Sequence, residues 1–211
     1  MKNIIFDWDG TLGMTLHLWL DGYRAGLLDQ GHDIHDTIIA NNFFYGHDEV
    51  AHQFPDVDFL SLRIFARAHT HDNLDNLTLY DSAKETVITL RDEGFDVSLV
   101  SSSPRLLLDK GLFAHGFQSL FTSVVAGDEV ANRKPDPEPF LKTLHNIGGH
   151  AEETIVVGDA EVDILAGKAA GLKTCLFTPE VNGLFHDFDE LHSHEPDHQI
   201  THMADLLKVV A

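Results

Sequence analysis

With 211 residues, 43% of them apolar, the chain is long enough for one domain, or one core with a small insertion, and has ordinary globular composition. Its 14 Lys and Arg stand against 34 Asp and Glu, a formal charge of −20, which excludes nucleic acid and anionic membrane as partners because both need basic patches. One cysteine, Cys175, excludes an intramolecular disulfide framework, and the absence of a long apolar run or signal-like leader makes the cytoplasm the expected location.

Lys2 to Phe6 is a short apolar run that stops at Asp7-Trp8-Asp9-Gly10-Thr11, the pattern of a buried strand ending in a polar glycine turn. Leu16, Trp19, Leu20, Tyr23 and Leu27 follow helical spacing, so 16–28 is predicted helical. Helices over 36–44 and 58–71 follow, punctuated by Gly46 and Pro55. No strand is expected between Met14 and Leu79, which marks an all-helical unit. The pattern changes at Asp81. An amphipathic helix over 82–92 is closed by Gly94. A strand over 97–100 ends in Ser101-Ser102-Ser103, and Pro104 opens a helix over 105–113. Then come a strand at 123–126, a helix at 137–147, a strand at 154–157 ending in Gly158-Asp159, and a helix at 162–170. A strand at 173–177 and a last strand and helix at 198–201 and 203–210 complete the chain.

Short strands alternating with amphipathic helices predict an α/β fold, a Rossmann-like parallel sheet with helices on both faces. Ligands bind at the carboxyl ends of such strands. Three strands end in polar clusters, at Asp7 and Asp9, at Ser101 and Ser102, and at Asp159, and Arg133-Lys134-Pro135 follows a fourth strand. Paired carboxylates ionise comfortably only beside a cation, and an oxygen-rich set without cysteine suits Mg²⁺. Lys134 adds a fixed positive charge and Ser101 a hydroxyl, which together with a metal can grip a phosphate. Asp7 can then attack phosphorus as a carboxylate nucleophile, and Asp9 can move the proton.

These motifs resemble those of the haloacid dehalogenase-like hydrolases. Asp7-Trp8-Asp9-Gly10-Thr11-Leu12 resembles the first motif, and Val97 to Ser102 the second. Arg133-Lys134-Pro135 resembles the third, and Gly158-Asp159 followed by Asp163 the fourth, in the same order. The helical unit at 14–79 resembles the small cap of the phosphoglycolate phosphatase-like branch, leaving 1–13 and 80–211 as the core. The resemblance implies Asp7 as nucleophile and Asp9 as general acid and base. It implies Mg²⁺ held by Asp7, the Asp9 carbonyl and Asp159, with Asp163 in support. Ser101, Ser102 and Lys134 would bind the phosphoryl group. The second aspartate, Asp9, argues for phosphate esters over carbon–halogen bonds. Two departures stand out. Many relatives carry Asn where this chain has Ser102, and an Asp-Ser pair where it has Met14-Thr15.

The expected substrate is a small phosphorylated metabolite, and the expected assembly a monomer or homodimer. Rival readings are a sugar phosphomutase using the same aspartates, and a catalytically silent phosphate-binding protein on the same fold. The 14–79 unit holds only Arg24, Arg63 and Arg67 against ten acids, which mildly disfavours a di-anionic leaving group such as pyrophosphate and makes a sugar-like or small carboxylate group easier. Arg63 and Arg67, at i and i+4, are the candidates for a substrate's carboxylate or second phosphate; two solvated arginines are an equal reading. Ser101 has a second reading as the cap of the helix near Pro104, and Asp163 as a first-turn helix residue. Most of the fifteen histidines are expected at the surface, with His186 one of five that crowd the C-terminal part, and Cys175 is expected inside its strand as a small hydrophobe.

Overall fold

A computed structural model describes residues 1–44 and 50–211; the break expected at Gly46 lies outside the described residues. The chain enters through β1 (Asn3–Phe6), and the helices that follow include α1 (Thr15–Asp29), α2 (Asp36–Phe43) and α3 (Phe59–Asn73). The α/β part continues with α4 (Ala83–Asp92), β2 (Asp96–Val100), α5 (Arg105–Ala114), β3 (Val124–Val125) and α6 (Glu138–Ile147). It ends with β4 (Thr154–Gly158), α7 (Glu161–Ala169), β5 (Lys173–Phe177), α8 (Phe188–Ser193), β6 (His198–Ile200) and α9 (Leu206–Val210).

The strands form one sheet in the order β3-β2-β1-β4-β5-β6, and every pairing is parallel. β1 lies between β2 and β4, with Phe6 opposite both Leu99 and Val157. Period-two alternation sends the two halves of each strand to different cores. Ile4, Phe6, Val97, Leu99, Ile155 and Val157 pack on one face with Val87 and Leu90 of α4 and Leu108 of α5. Ile5, Val100 and Val156 pack on the other with Phe140 and Leu144 of α6 and Ala166 of α7. Both faces are covered, which is why the strands read as continuous apolar runs.

Helices α1, α2 and α3 share their own core of Leu20, Tyr23, Leu27, Ile39, Phe43, Leu62 and Ala66. Asp58 starts α3 by accepting hydrogen bonds from Leu60 and Ser61 amides at 3.1 Å. The two chain crossings into this lobe lie side by side: Met14 donates to the Thr78 carbonyl at 2.9 Å, and Tyr80 to that of Leu12 at 3.1 Å. No helix among the described residues is long and apolar enough to cross a membrane.

Several local expectations shift. β3 is a two-residue edge strand, and the last helix opens with a 3₁₀ turn at Met203–Asp205. The stretch from 178 to 197, assigned no element above, holds a 3₁₀ turn at Glu180–Leu184 and α8. Six residues are too few for helical periodicity to show; α8 depends on Asp187, which accepts from the Asp189 and Glu190 amides.

Candidate active site

The end of β1 sorts its residues by alternation. Trp8 turns into the core, 2% exposed and edge-on to Phe117 with centroids 5.5 Å apart. Its neighbours Asp7 and Asp9 are thereby directed to the rim. The turn closes through Leu12 and Gly13 amides, which donate to the Trp8 carbonyl at 3.1 and 3.0 Å. Gly10 sits at φ +78°, and a Cβ there would lie 2.0 Å from Asp159 Oδ2, so both conformation and space require glycine.

Lys134 reaches the rim from the loop before α6. Its Nζ donates to Asp7 Oδ1 at 2.8 Å and Asp163 Oδ1 at 2.5 Å, with the lysine side chain 3% exposed. Asp163, in the first turn of α7, is fully buried, and its Oδ2 accepts from the Ala160 amide at 3.3 Å. Both readings of Asp163 therefore hold geometrically: it is a first-turn residue and it sits in the carboxylate cluster. Asp159, past the end of β4, accepts from Thr11 Oγ1 at 3.0 Å through Oδ1. Its Oδ2 accepts from Asn182 Nδ2 at 3.3 Å and His186 Nε2 at 2.8 Å. Oxygens of Asp7, Asp159 and Asp163 all lie within 4.8 Å of one another. This buried, all-oxygen donor set fits a hard divalent cation.

Ser101 does not cap α5. Its Oγ accepts from the Ser103 amide at 2.9 Å and donates to Asp9 Oδ2 at 3.1 Å, while Ser103 Oγ donates to the same oxygen at 2.8 Å. Ser102 is exposed and faces the cavity above the cluster. That cavity, about 290 Å³, is floored by Asp7, Asp9, Lys134 and Asp159 and walled by Leu16, Trp19, Tyr23 and Phe44 of the insertion.

The electrostatics follow from crowding. Burial raises the Asp7 carboxyl well above the usual range; Lys134 opposes this, and Asp163, Asp159 and Asp9 reinforce it. Burial likewise raises Asp163, again against Lys134. Burial disfavours the Lys134 charge, but Asp163 and Asp7 outweigh it and hold the ammonium above its ordinary value. An excess of buried carboxylate over cation is an environment that a divalent metal would complete.

The structure thus brings Asp7, Asp9, Ser101, Ser102, Lys134, Asp159 and Asp163 to one rim. It does not bring Arg63 and Arg67 there. Both are exposed on α3, and neither lines the cavity among the described residues. The Arg63 charge opposes burial at Tyr23, whose hydroxyl is pushed up to about 12. The basic residue beside Lys134 in the lining is Arg133, whose Nε donates to the Gly127 carbonyl at 2.8 Å.

Sequence reasoning missed Thr11, Ser103, Asn182 and His186. His186 departs from the surface position expected of most histidines: its side chain is 5% exposed, and its Nε2 lies 2.8 Å from Asp159 Oδ2. One signal was present. Residues 178–186 directly follow β5, a parallel strand that ends at the same rim. Cys175 is buried as expected, its thiol pushed up to about 12 by burial.

A family model described as haloacid dehalogenase-like hydrolase matches residues 4–177. The chain is 39% identical over 145 residues, 68% of its length, to a pyrophosphatase PpaX of Halalkalibacterium halodurans, a match covering 66% of that protein. It is 32% identical over 218 residues to a pyrophosphatase PpaX of Bacillus pumilus, covering all of this chain and 96% of the relative. In fold it is similar to the crystal structure of a predicted phosphoglycolate phosphatase from Haemophilus somnus, with TM-score 0.84 at 24% identity. That superposition covers 100% of this chain and 98% of the other.

Proposed function

The chain belongs to the haloacid dehalogenase-like hydrolases, and from that premise we propose that it is a Mg²⁺-dependent phosphatase of a small phosphorylated metabolite, working through an aspartyl-phosphate. The observation that carries this reading is the buried constellation of Asp7, Lys134, Asp159 and Asp163 at one rim of the sheet, with Asp9 beside it. An Asp7 oxygen attacks phosphorus, the bond from phosphorus to the leaving oxygen breaks, and Asp9 supplies the proton that oxygen takes up. Asp9 then takes a proton from water, the water oxygen attacks the aspartyl-phosphate, and Asp7 and inorganic phosphate are released. Lys134 holds Asp7 in place and offsets charge on the phosphoryl oxygens. Asp7, Asp159, Asp163 and the Asp9 carbonyl would hold Mg²⁺, which when bound supplies electrostatic stabilisation of the phosphoryl group.

Ser101 donates to one acceptor at a time. A phosphoryl oxygen that takes its hydroxyl leaves Asp9 with the Ser103 hydroxyl, freer to turn toward the leaving group. Residues 14–79 act as the cap, since their side chains wall the cavity over the reacting atoms. The relatives' name makes pyrophosphate the first compound to compare. The walls of Leu16, Trp19, Tyr23 and Phe44, with Arg133 and Lys134 the basic lining among the described residues, favour an organic leaving group instead. Hydrolysis of p-nitrophenyl phosphate, a panel of phosphorylated metabolites and pyrophosphate, each with Mg²⁺ and with EDTA, tests this. Activity lost in EDTA and restored by Mg²⁺, with an organic ester preferred, is expected. Full activity in EDTA would remove the metal from the reading, and a preference for pyrophosphate would overturn the organic leaving group.

A further inference from the structure

Two of the three side chains that hold Asp159 come from one short segment after β5, and that segment also enters the cap. Asn182 is fully buried; its Nδ2 donates to the Gly10 carbonyl at 3.0 Å and to Asp159, and its Oδ1 accepts from Tyr80 at 2.5 Å. Tyr80 stands at the returning crossing from the cap. Four residues on, His186 Nε2 meets Asp159 Oδ2. Between them lies Phe185, which leaves the α/β core altogether. It is buried in the cap's cluster, edge-on to His17 with centroids 4.9 Å apart and 5.3 Å from Phe44. Backbone bonds from Phe185 and His186 to the Asn182 carbonyl, at 2.9 and 3.1 Å, make the turn stiff. Adjacent residues of one hydrogen-bonded turn therefore contact both parts of the molecule, Phe185 the cap's cluster and His186 Asp159.

We propose that His186 is a positioning residue for Asp159 and that the cap sets its position through Phe185, so that seating of the cap and affinity for the metal are coupled. The proposal rests on Asp159 being a metal ligand. A carboxylate has about four lone-pair sites, and three donors leave one for a cation. The donors fix where that site points. Partners of this kind typically contribute 10–100-fold to metal affinity. By reciprocity, a cap whose seating tightens metal binding must itself be seated more firmly by metal.

The test is Mg²⁺ titration by calorimetry on the full chain without substrate, for wild type, His186→Ala, His186→Gln and Phe185→Ala. His186→Ala is expected to bind roughly 10–100-fold more weakly. His186→Gln should stay within a few-fold of wild type, because its amide donates from about the place of Nε2. Phe185→Ala should bind several-fold more weakly although it does not touch Asp159. In wild type, Mg²⁺ should slow amide exchange in 36–43 and 180–187. A wild type that binds no Mg²⁺ overturns the metal reading and the proposal with it. If wild type binds, equal affinity in His186→Ala overturns the positioning role. Equal affinity in a folded Phe185→Ala, or exchange unmoved by Mg²⁺, overturns the coupling; the exchange measurement decides alone if that variant does not fold.

Discussion

Asp7 is buried beside three other aspartates, with Lys134 the counter-charge that touches it. Asp7→Asn removes the proposed nucleophile and should lower kcat by roughly four or more orders of magnitude with the fold retained. The same crowding gives a stability prediction. Asp7 and Asp163 are both raised, so through and above the ordinary aspartate range the folded state holds more protons than the unfolded state. Stability of the metal-free protein should therefore fall as pH rises through that range. In EDTA, Asp7→Asn should melt higher than wild type near neutral pH, with the gap closing in acid; thermal melts across pH check this. Asp9 is held by two serine hydroxyls, and its proposed proton transfer can be tested by choice of substrate. Asp9→Asn should lose more activity on an alkyl phosphate than on p-nitrophenyl phosphate, whose leaving group needs no proton. Equal losses would assign Asp9 to geometry alone.

At the scale of elements, stop signals were readable and short elements were not. Gly94 closes α4 as its position suggested: it lies at φ +92°, donates to the Arg91 carbonyl at 3.0 Å, and Phe95 donates to that of Leu90 at 3.0 Å. Nothing lies within 4 Å of a Cβ added there. Gly94→Ala should therefore cost only the backbone strain, about 1 kcal/mol, with kcat unchanged; denaturant unfolding measures it. The 3₁₀ turn at Glu180–Leu184 had no such signal, yet it delivers Asn182 and His186 to Asp159. Helix α1 was legible from spacing because it buries an apolar stripe. Which way α3 turns Arg63 and Arg67 was not, because that depends on where the stripe of Leu62, Ala66 and Thr70 docks.

The whole molecule carries a charge of −20, and part of that excess is concentrated at the carboxylate cluster. A cation that binds only the folded state stabilises it by mass action, about 2.7 kcal/mol at a hundred times Kd. Mg²⁺ should thus raise Tm by several degrees in wild type and by much less in Asp159→Asn, as differential scanning calorimetry would show. Monovalent salt should raise both modestly by screening surface repulsion; a Tm shift from salt equal to that from Mg²⁺ would argue against a specific site.

The sequence alone determined the α/β class, the parallel sheet and the presence of Asp7, Asp9, Ser101 and Asp159 at strand ends, with Lys134 in a following loop and Asp163 at the start of a helix. These are local properties: a buried strand needs an apolar run, and a parallel sheet collects its strand ends on one rim. The tertiary structure decided the rest. That Ser103 meets Asp9 across 94 residues, that His186 meets Asp159 across 27, and that Phe185 belongs to the cap's core are contacts between distant loops. Periodicity records which face of an element is buried, but it carries no trace of which distant side chain completes a hydrogen bond there.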